Sequence, residues 1–321
     1  MCIRDRFTIA NSGHCGMTIR SGSSNYGTIY FSDADDGSAD EVRGFVEYNH
    51  SDNQLSLGSN GSARLRITQD GSATRMGLGI VPQASQYSGW TVLQVGESAA
   101  LTSNRTTGDT NTTELSNNSY LNSNASAYKY HHTDEATRYV QAHGRHTWYT
   151  AASGSADATI SFTEVMKVDA SGYVTKPANP MFKAGMTASR TISSNGWHKI
   201  QFDTDTASDC FDVGSNYDAS NHRFTAPVTG YYQFGLNQRV DGGDGDYFRV
   251  AFSLNDDLGA GDNYPYGHAI YRDADGFAYF SFSITSLIYM TAGQYAQVFV
   301  THLDQQTDPD KWCTFMGYLL S

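Results

Sequence analysis

Apolar and polar residues alternate at period two in short runs closed by glycine, asparagine or proline, a pattern that predicts β-strands and almost no helix. The clearest case lies late in the chain. Arg223-Phe224-Thr225-Ala226 alternates, Pro227 ends the run because it has no N–H for a ladder, and Thr229-Gly230 supplies a turn. The next run, Tyr231-Tyr232-Gln233-Phe234-Gly235-Leu236, places Tyr232, Phe234 and Leu236 on one face, which predicts a strand with an aromatic side turned inward.

The first half of the chain repeats itself. Leu65-Arg66-Ile67-Thr68-Gln69-Asp70-Gly71 aligns with Met166-Lys167-Val168-Asp169-Ala170-Ser171-Gly172. Upstream, Val46 to His50 and Leu55 to Leu57 stand to the first copy as Tyr139 to His143 and Trp148 to Thr150 stand to the second. This predicts two related β modules, residues 7–87 and 88–178, joined by the turn-rich stretch Pro82 to Gly89. Pro177-Ala178-Asn179-Pro180 then reads as a linker into a third domain, residues 179–321. Ala99 to Ser126 is so rich in Ser, Thr and Asn that a lone chain is expected to bury too little apolar surface to order it. Three chains sharing one narrow core would order it.

Length and composition agree with a multi-part β protein: 321 residues with 31 Gly, 21 Tyr and 16 Phe but 6 Pro suit short strands and tight turns. The formal charge of −12 argues against nucleic acid or an anionic membrane as partner, since both attract basic surfaces. No apolar run reaches the length that spans a bilayer as a helix, so membrane insertion is not expected. Met1 to Arg6 lacks the apolar core of a secretory signal and resembles translated adapter sequence, so residues 1–6 are expected to be an assembly artefact ahead of a truncated reading frame. Cys2, Cys15, Cys210 and Cys313 show no zinc spacing; Cys210 and Cys313 either pair or, as their low density favours, pack as free thiols.

From Phe182 onward the sequence resembles the globular head domain of complement C1q and its relatives, a jelly roll shared with tumour necrosis factor-like proteins. The resemblance rests on Phe182-Lys183-Ala184, Ile200 to Asp203, Phe211-Asp212, Tyr217-Asp218, Phe224 to Pro227 and Gly230 to Phe234. It continues through Leu287 to Met290, Gly293 to Val300 and the closing Thr314-Phe315-Met316-Gly317-Tyr318-Leu319. It implies a homotrimer, with calcium often held near the apex. Asp241 to Phe277 departs most from the pattern.

The two modules resemble bacteriophage tail-fibre repeats, through Ile19 to Gly22, Gly27 to Asp33 and Gly44 to Tyr48, then Tyr120 to Asn122, Ala136 to Tyr139 and Trp148 to Gly154. The whole is therefore expected to be all-β: two Gly-rich modules of a fibrous shaft, then a C-terminal jelly-roll β-sandwich, as a homotrimer. The implied function is structural and receptor-binding. The head of a virion fibre would contact host-surface glycan or protein while the rest meets other tail proteins, in a virion or extracellular setting. The alternatives are a bacterial surface adhesin and, behind it, a polysaccharide depolymerase.

Candidate chemistry concentrates in the head loops. Asp241, Asp244 and Asp246, then Asp256, Asp257 and Asp262, then Asp273 and Asp275 offer carboxylates, with Asp244 and Asp246 the candidate calcium ligands. No cofactor is otherwise required. Tyr264, Tyr266, Tyr271 and Phe277 sit among these carboxylates; such rings either stack on sugar faces beside hydrogen-bonding groups or pack the loops and subunit contacts. Asp33, Asp35 and Asp36 read as a solvated turn. His131, His132, His143 and His146 invite a metal site, against which His143 and His146 would face opposite sides of a strand. No nucleophile elbow, phosphate loop or His-Glu-x-x-His motif is present, so no catalytic residue and no enzyme are expected.

Overall fold

The computed structural model describes residues 9, 12–33, 39–70, 73–104, 111–192, 196–207, 209–241, 247–259, 264–272, 279–302, 308–309 and 312–320. Residues 1–6 therefore lie outside the described residues. The chain divides into two compact units, Met1–Lys176 and Pro177–Ser321. Among the described residues the helical turn Ala39–Val42 stands alone, and no helix is long and apolar enough to cross a membrane.

Unit 1 is built from β1 Tyr26–Phe31, β2 Gly44–Asn49, β3 Gln54–Ser59, β4 Ser62–Asp70, β5 Ala73–Leu78, β6 Trp90–Val95 and β7 Ala99–Asn104. It continues with β8 Thr112–Asn117, β9 Ser119–Leu121, β10 Tyr128–Tyr130, β11 Asp134–Ala142, β12 Arg145–Gly154, β13 Thr163–Val168 and β14 Val174–Thr175. Strands β1 to β8 and β11 to β14 form one 12-stranded sheet in chain order, and β9 pairs with β10. Strands from both expected modules thus share a sheet. The join near Pro82 is a crossover that lets β5 and β6 pair in parallel, and Gly77 makes room for it: a Cβ there would stand 2.3 Å from the Ile80 carbonyl oxygen.

The duplication is visible in the ladders. Val46–Leu57–Leu65 crosses β2, β3 and β4 as Tyr139–Trp148–Met166 crosses β11, β12 and β13. Leu57, rather than Leu55, therefore stands where Trp148 does. The Ser, Thr and Asn-rich stretch, expected not to order in one chain, forms β7, β8 and β9 within this unit. The reason is an inversion of the usual pattern. On one face of the sheet the buried side chains include Ser56, Arg75 (3% exposed), Gln94, Thr102, Glu114 (4%) and Ser116. Arg75 and Gln94 bond to the crossover, and Thr102, Glu114 and Ser116 lie against it and the β9–β10 hairpin.

The opposite face carries an apolar ladder. Tyr48, Leu55, Ile67, Met76, Leu93, Leu101, Leu115, Tyr139, Trp148 and Met166 are successive partners from β2 to β13. None of these is buried; Leu101 is 47% and Leu115 56% exposed.

Unit 2 comprises β15 Met181–Gly185, β16 His198–Lys199, β17 Phe211–Val213, β18 Tyr217–Asp218, β19 Arg223–Thr225 and β20 Gly230–Asp241. It ends with β21 Tyr247–Leu254, β22 His268–Arg272, β23 Tyr279–Met290, β24 Tyr295–His302, β25 Asp308–Pro309 and β26 Thr314–Leu319. One sheet has the order β17-β15-β26-β20-β23 with β25 on β20, the other β18-β19-β24-β21-β22 with β16 on β24. The chain crosses between the sheets from β19 to β20, β20 to β21, β22 to β23 and β23 to β24, so unit 2 is an antiparallel jelly-roll sandwich. The protein is all-β.

Its core is the aromatic face anticipated for β20. Tyr232, Phe234 and Leu236 are fully buried with Phe182, Phe202, Phe224, Phe252 and Phe315. The Phe182 ring stacks on Tyr217 and Phe224 and meets Phe315 edge-on, with centroids 4.8 to 4.9 Å apart. Each such side chain stabilises the fold by about 1.5–3 kcal/mol through area removed from water. Two buried hydroxyls of this core are answered: Tyr217 donates to the Phe202 carbonyl and Tyr232 to that of Val228. Cys313 is buried, and Cys210 and Cys313 are free thiols.

Candidate functional site

The carboxylates and aromatics singled out in the head separate into three groups. Asp244, Asp246, Asp262, Asp273, Asp275 and Phe277 lie outside the described residues, and with them the candidate calcium ligands. Asp241 and Tyr271 belong to the backbone of β20 and β22, with side chains also outside them.

Asp256 and Asp257 are exposed and serve a turn. Asn255 and Asp256 take φ of 53° and 63°, and Leu254 and Asp257 exchange backbone hydrogen bonds, the geometry of a tight type I′ hairpin. The Tyr295 hydroxyl donates to Asp256 at 2.7 Å, and Asp257 accepts the Gly259 N–H at 2.8 Å. Arg223 lies 4.5 Å from the Tyr295 ring centre, so this end of the sheet is braced by a cation over an aromatic face.

Of the two roles open to these rings, Tyr264 and Tyr266 show packing contacts. Tyr264 is 8% exposed; its ring meets Trp197 and His268 and its hydroxyl accepts from Arg249 at 3.3 Å. Tyr266 packs against the hydrophobic core. Burial of an apolar ring stabilises a loop more than its availability to solvent would, so both sit in the packing role.

Other exposed aromatics were not singled out from sequence. On the outer side of the β26–β20–β23 sheet, Tyr231 faces Tyr289 with centroids 5.1 Å apart, and Gln233 pairs with both Leu287 and Tyr318. Tyr231, Leu287, Tyr289 and Tyr318 are all exposed. The signal was available: they are the alternate positions of strands whose other face was assigned to the core.

The histidines do not converge. His143 sits in the β11–β12 turn at φ 53°, followed by Gly144 at 73°, so the expected placement of His143 and His146 on opposite sides of a strand does not apply. The Tyr139 hydroxyl is hydrogen-bonded to His146 Nδ1. An open cleft of about 590 Å³ at this turn is lined by Asn111, Gln141, Ala142, His143, Gly144, Arg145 and His146, without a carboxylate. His131 packs on Tyr120, and burial lowers its pKa, with His132 adding to the effect. Asp33 pairs with Arg43 at 3.4 Å, while Asp35 and Asp36 lie outside the described residues. Among the described residues no group of three or more His, Cys, Asp or Glu side chains could hold a metal ion.

One charged cluster is deeply placed. Arg138 lies 3.5 Å from Glu114, and its guanidinium sits 4.1, 4.6 and 4.8 Å from the ring centres of Tyr128, Tyr149 and Phe162. The Tyr128 hydroxyl donates to Glu114 at 2.7 Å. Burial raises the Glu114 pKa against the opposing pull of Arg138 and Tyr128. Every member is engaged with another, as in a structural ion pair.

No protein-family profile matches the chain, and no curated protein does. Among solved structures, the chain is similar to the globular domain of zebrafish complement 1qA protein, at 16% sequence identity, covering 44% of this chain and 98% of that chain with a TM-score of 0.28.

Proposed function

We propose that the protein is a structural and receptor-binding component of a virion fibre, a bacteriophage tail fibre or tip, acting as a homotrimer whose jelly-roll head contacts host-surface glycan or protein. The observation that carries this reading is the division of labour in the chain. A duplicated single-sheet unit with a bare apolar face precedes a densely packed sandwich, which suits a shaft and its head better than a substrate cleft. Tyr231, Leu287, Tyr289 and Tyr318 offer the head a subunit contact. The loops between Asp241 and Phe277 carry the host contact, and threefold repetition gives weak contacts avidity because later ones become intramolecular. Asp244 and Asp246 are the candidate calcium ligands of those loops.

The test is binding of the purified full chain to a panel of bacterial cells and to a glycan array. The expected result is retention on a subset of strains that is lost when the same strains are stripped of surface glycan or protein. An assembled chain that binds no strain and no glycan contradicts it. Release of reducing ends from a bound polysaccharide would instead favour a depolymerase.

A further inference from the structure

We infer that the bare apolar face of the twelve-stranded sheet is a self-association surface, covered in the assembled protein by the same face of further copies of this chain. The inference deepens the fibre reading and rests on its homotrimer. Three features of the face carry it.

The first is extent. Ile29, Tyr48, Leu57, Leu78, Val95 and Leu101 are all more than a third exposed on this side, with Leu115 beside them. With their half-buried ladder neighbours they form one contiguous apolar patch across ten strands, whereas exposed apolar residues on a monomer are ordinarily scattered singly.

The second is charge. Two residues from the row members, on the same side of β2 to β13, stand residues such as Val46, Leu57, Leu78, Val95, Ser103 and Gln141, and none of these same-side strand positions is Asp, Glu, Lys or Arg, whereas Glu47, Arg66, Arg75, Glu114 and Arg138 lie on the other side. A chain of formal charge −12 that meets its own copy must keep like charges apart, and a charge-free face does so. Among its described strand positions the same face offers no lysine or arginine to an anionic glycan or a phosphate group.

The third is continuity. The row from Tyr48 to Met166 crosses both halves of the duplication without interruption, although the turns between its strands differ in length. The polar side of the same sheet is already covered within the chain by the crossover and the β9–β10 hairpin. On the apolar side Met17 and Ile19 lie over the β1–β3 end, and the exposed stretch from Leu78 to Leu115 is the part that meets another molecule.

The test is thiol labelling of the full chain carrying Leu115→Cys, with Leu101→Cys as a second probe and Tyr173→Cys as a reference. Tyr173 is 72% exposed, more than Leu115 at 56% in the single chain. Labels are read site by site by mass spectrometry, and mass in solution is measured in parallel. The expected result is an oligomer in which the two probe thiols react at least roughly ten-fold more slowly than the reference thiol and recover on dilution to single chains. Labelling as fast as the reference in an oligomer overturns this surface while leaving a head-driven trimer standing. Slow labelling in a single chain means that another part of the chain covers the face and also overturns it. A monomer with fast labelling overturns both the surface and the homotrimer, whereas the host-contact reading is decided separately by the cell-binding assay.

Discussion

Arg138 and Glu114 show how a single pair organises a unit whose inward side is polar. The guanidinium is held among three rings and beside a carboxylate that is 4% exposed, so removing it leaves a buried charge without its partner. Arg138→Met is expected to destabilise unit 1 by about 3–5 kcal/mol, read from denaturant unfolding. Titration gives a second prediction. The folded Glu114 pKa is raised by burial above its usual 4.5, so in the window above 4.5 the folded state keeps a proton that the unfolded chain releases. The stability of unit 1 therefore falls as pH rises through that window, and Glu114→Gln removes the slope. Asp203 in unit 2 has the opposite sign. Burial opposes its ionisation, but the Thr187 N–H and hydroxyl and the Arg190 guanidinium prevail and hold its pKa below the usual 3.8. Its contribution is present above 3.8 and is lost as pH falls further. Unit-resolved hydrogen exchange across an acid titration separates the two, and equal slopes in both units would contradict the assignment.

Among elements, the last strand explains why a glycine stands between two core aromatics. A Cβ at Gly317 would lie 2.5 Å from Phe234 Cδ1 and 2.9 Å from Phe182 Cε1, so β26 can pass beneath those rings only without a side chain there. Gly317→Ala is expected to cost about 1–3 kcal/mol by overpacking, with unit 2 losing stability and unit 1 unchanged in the same melt. This part of the fold was legible in sequence, because Tyr232, Phe234 and Leu236 alternate cleanly and are buried together. The strands of unit 1 were legible in their positions but not in their facing. Alternation identifies two sides of β7 and β8 but not which is buried: Thr102 and Glu114 are covered by the segments over the polar side, while Leu101 and Leu115 stay exposed. Such covering is non-local, and no property of β7 or β8 announces it. The choice between the two roles open to Tyr264 was hidden for the same reason: its contacts with Trp197 and Arg249 come from distant parts of the sequence.

At the scale of the whole molecule the head and the sheet make different demands. The head buries its aromatics within one chain, whereas the sheet leaves a continuous apolar row uncovered. Placing charge on that row, as in Leu101→Asp with Leu115→Asp, is expected to weaken assembly and to raise binding of a hydrophobic dye, and an unchanged mass and dye signal would count against the surface. The duplication that builds the row was visible as a sequence repeat, but its consequence, one face shared by both copies, required the register of every ladder. The most direct test is sedimentation equilibrium of the full chain from micromolar to nanomolar concentration. A mass about three times the 35.1 kDa of one chain is predicted at the upper end, whereas a single-chain mass throughout would contradict the shared face and the trimer together.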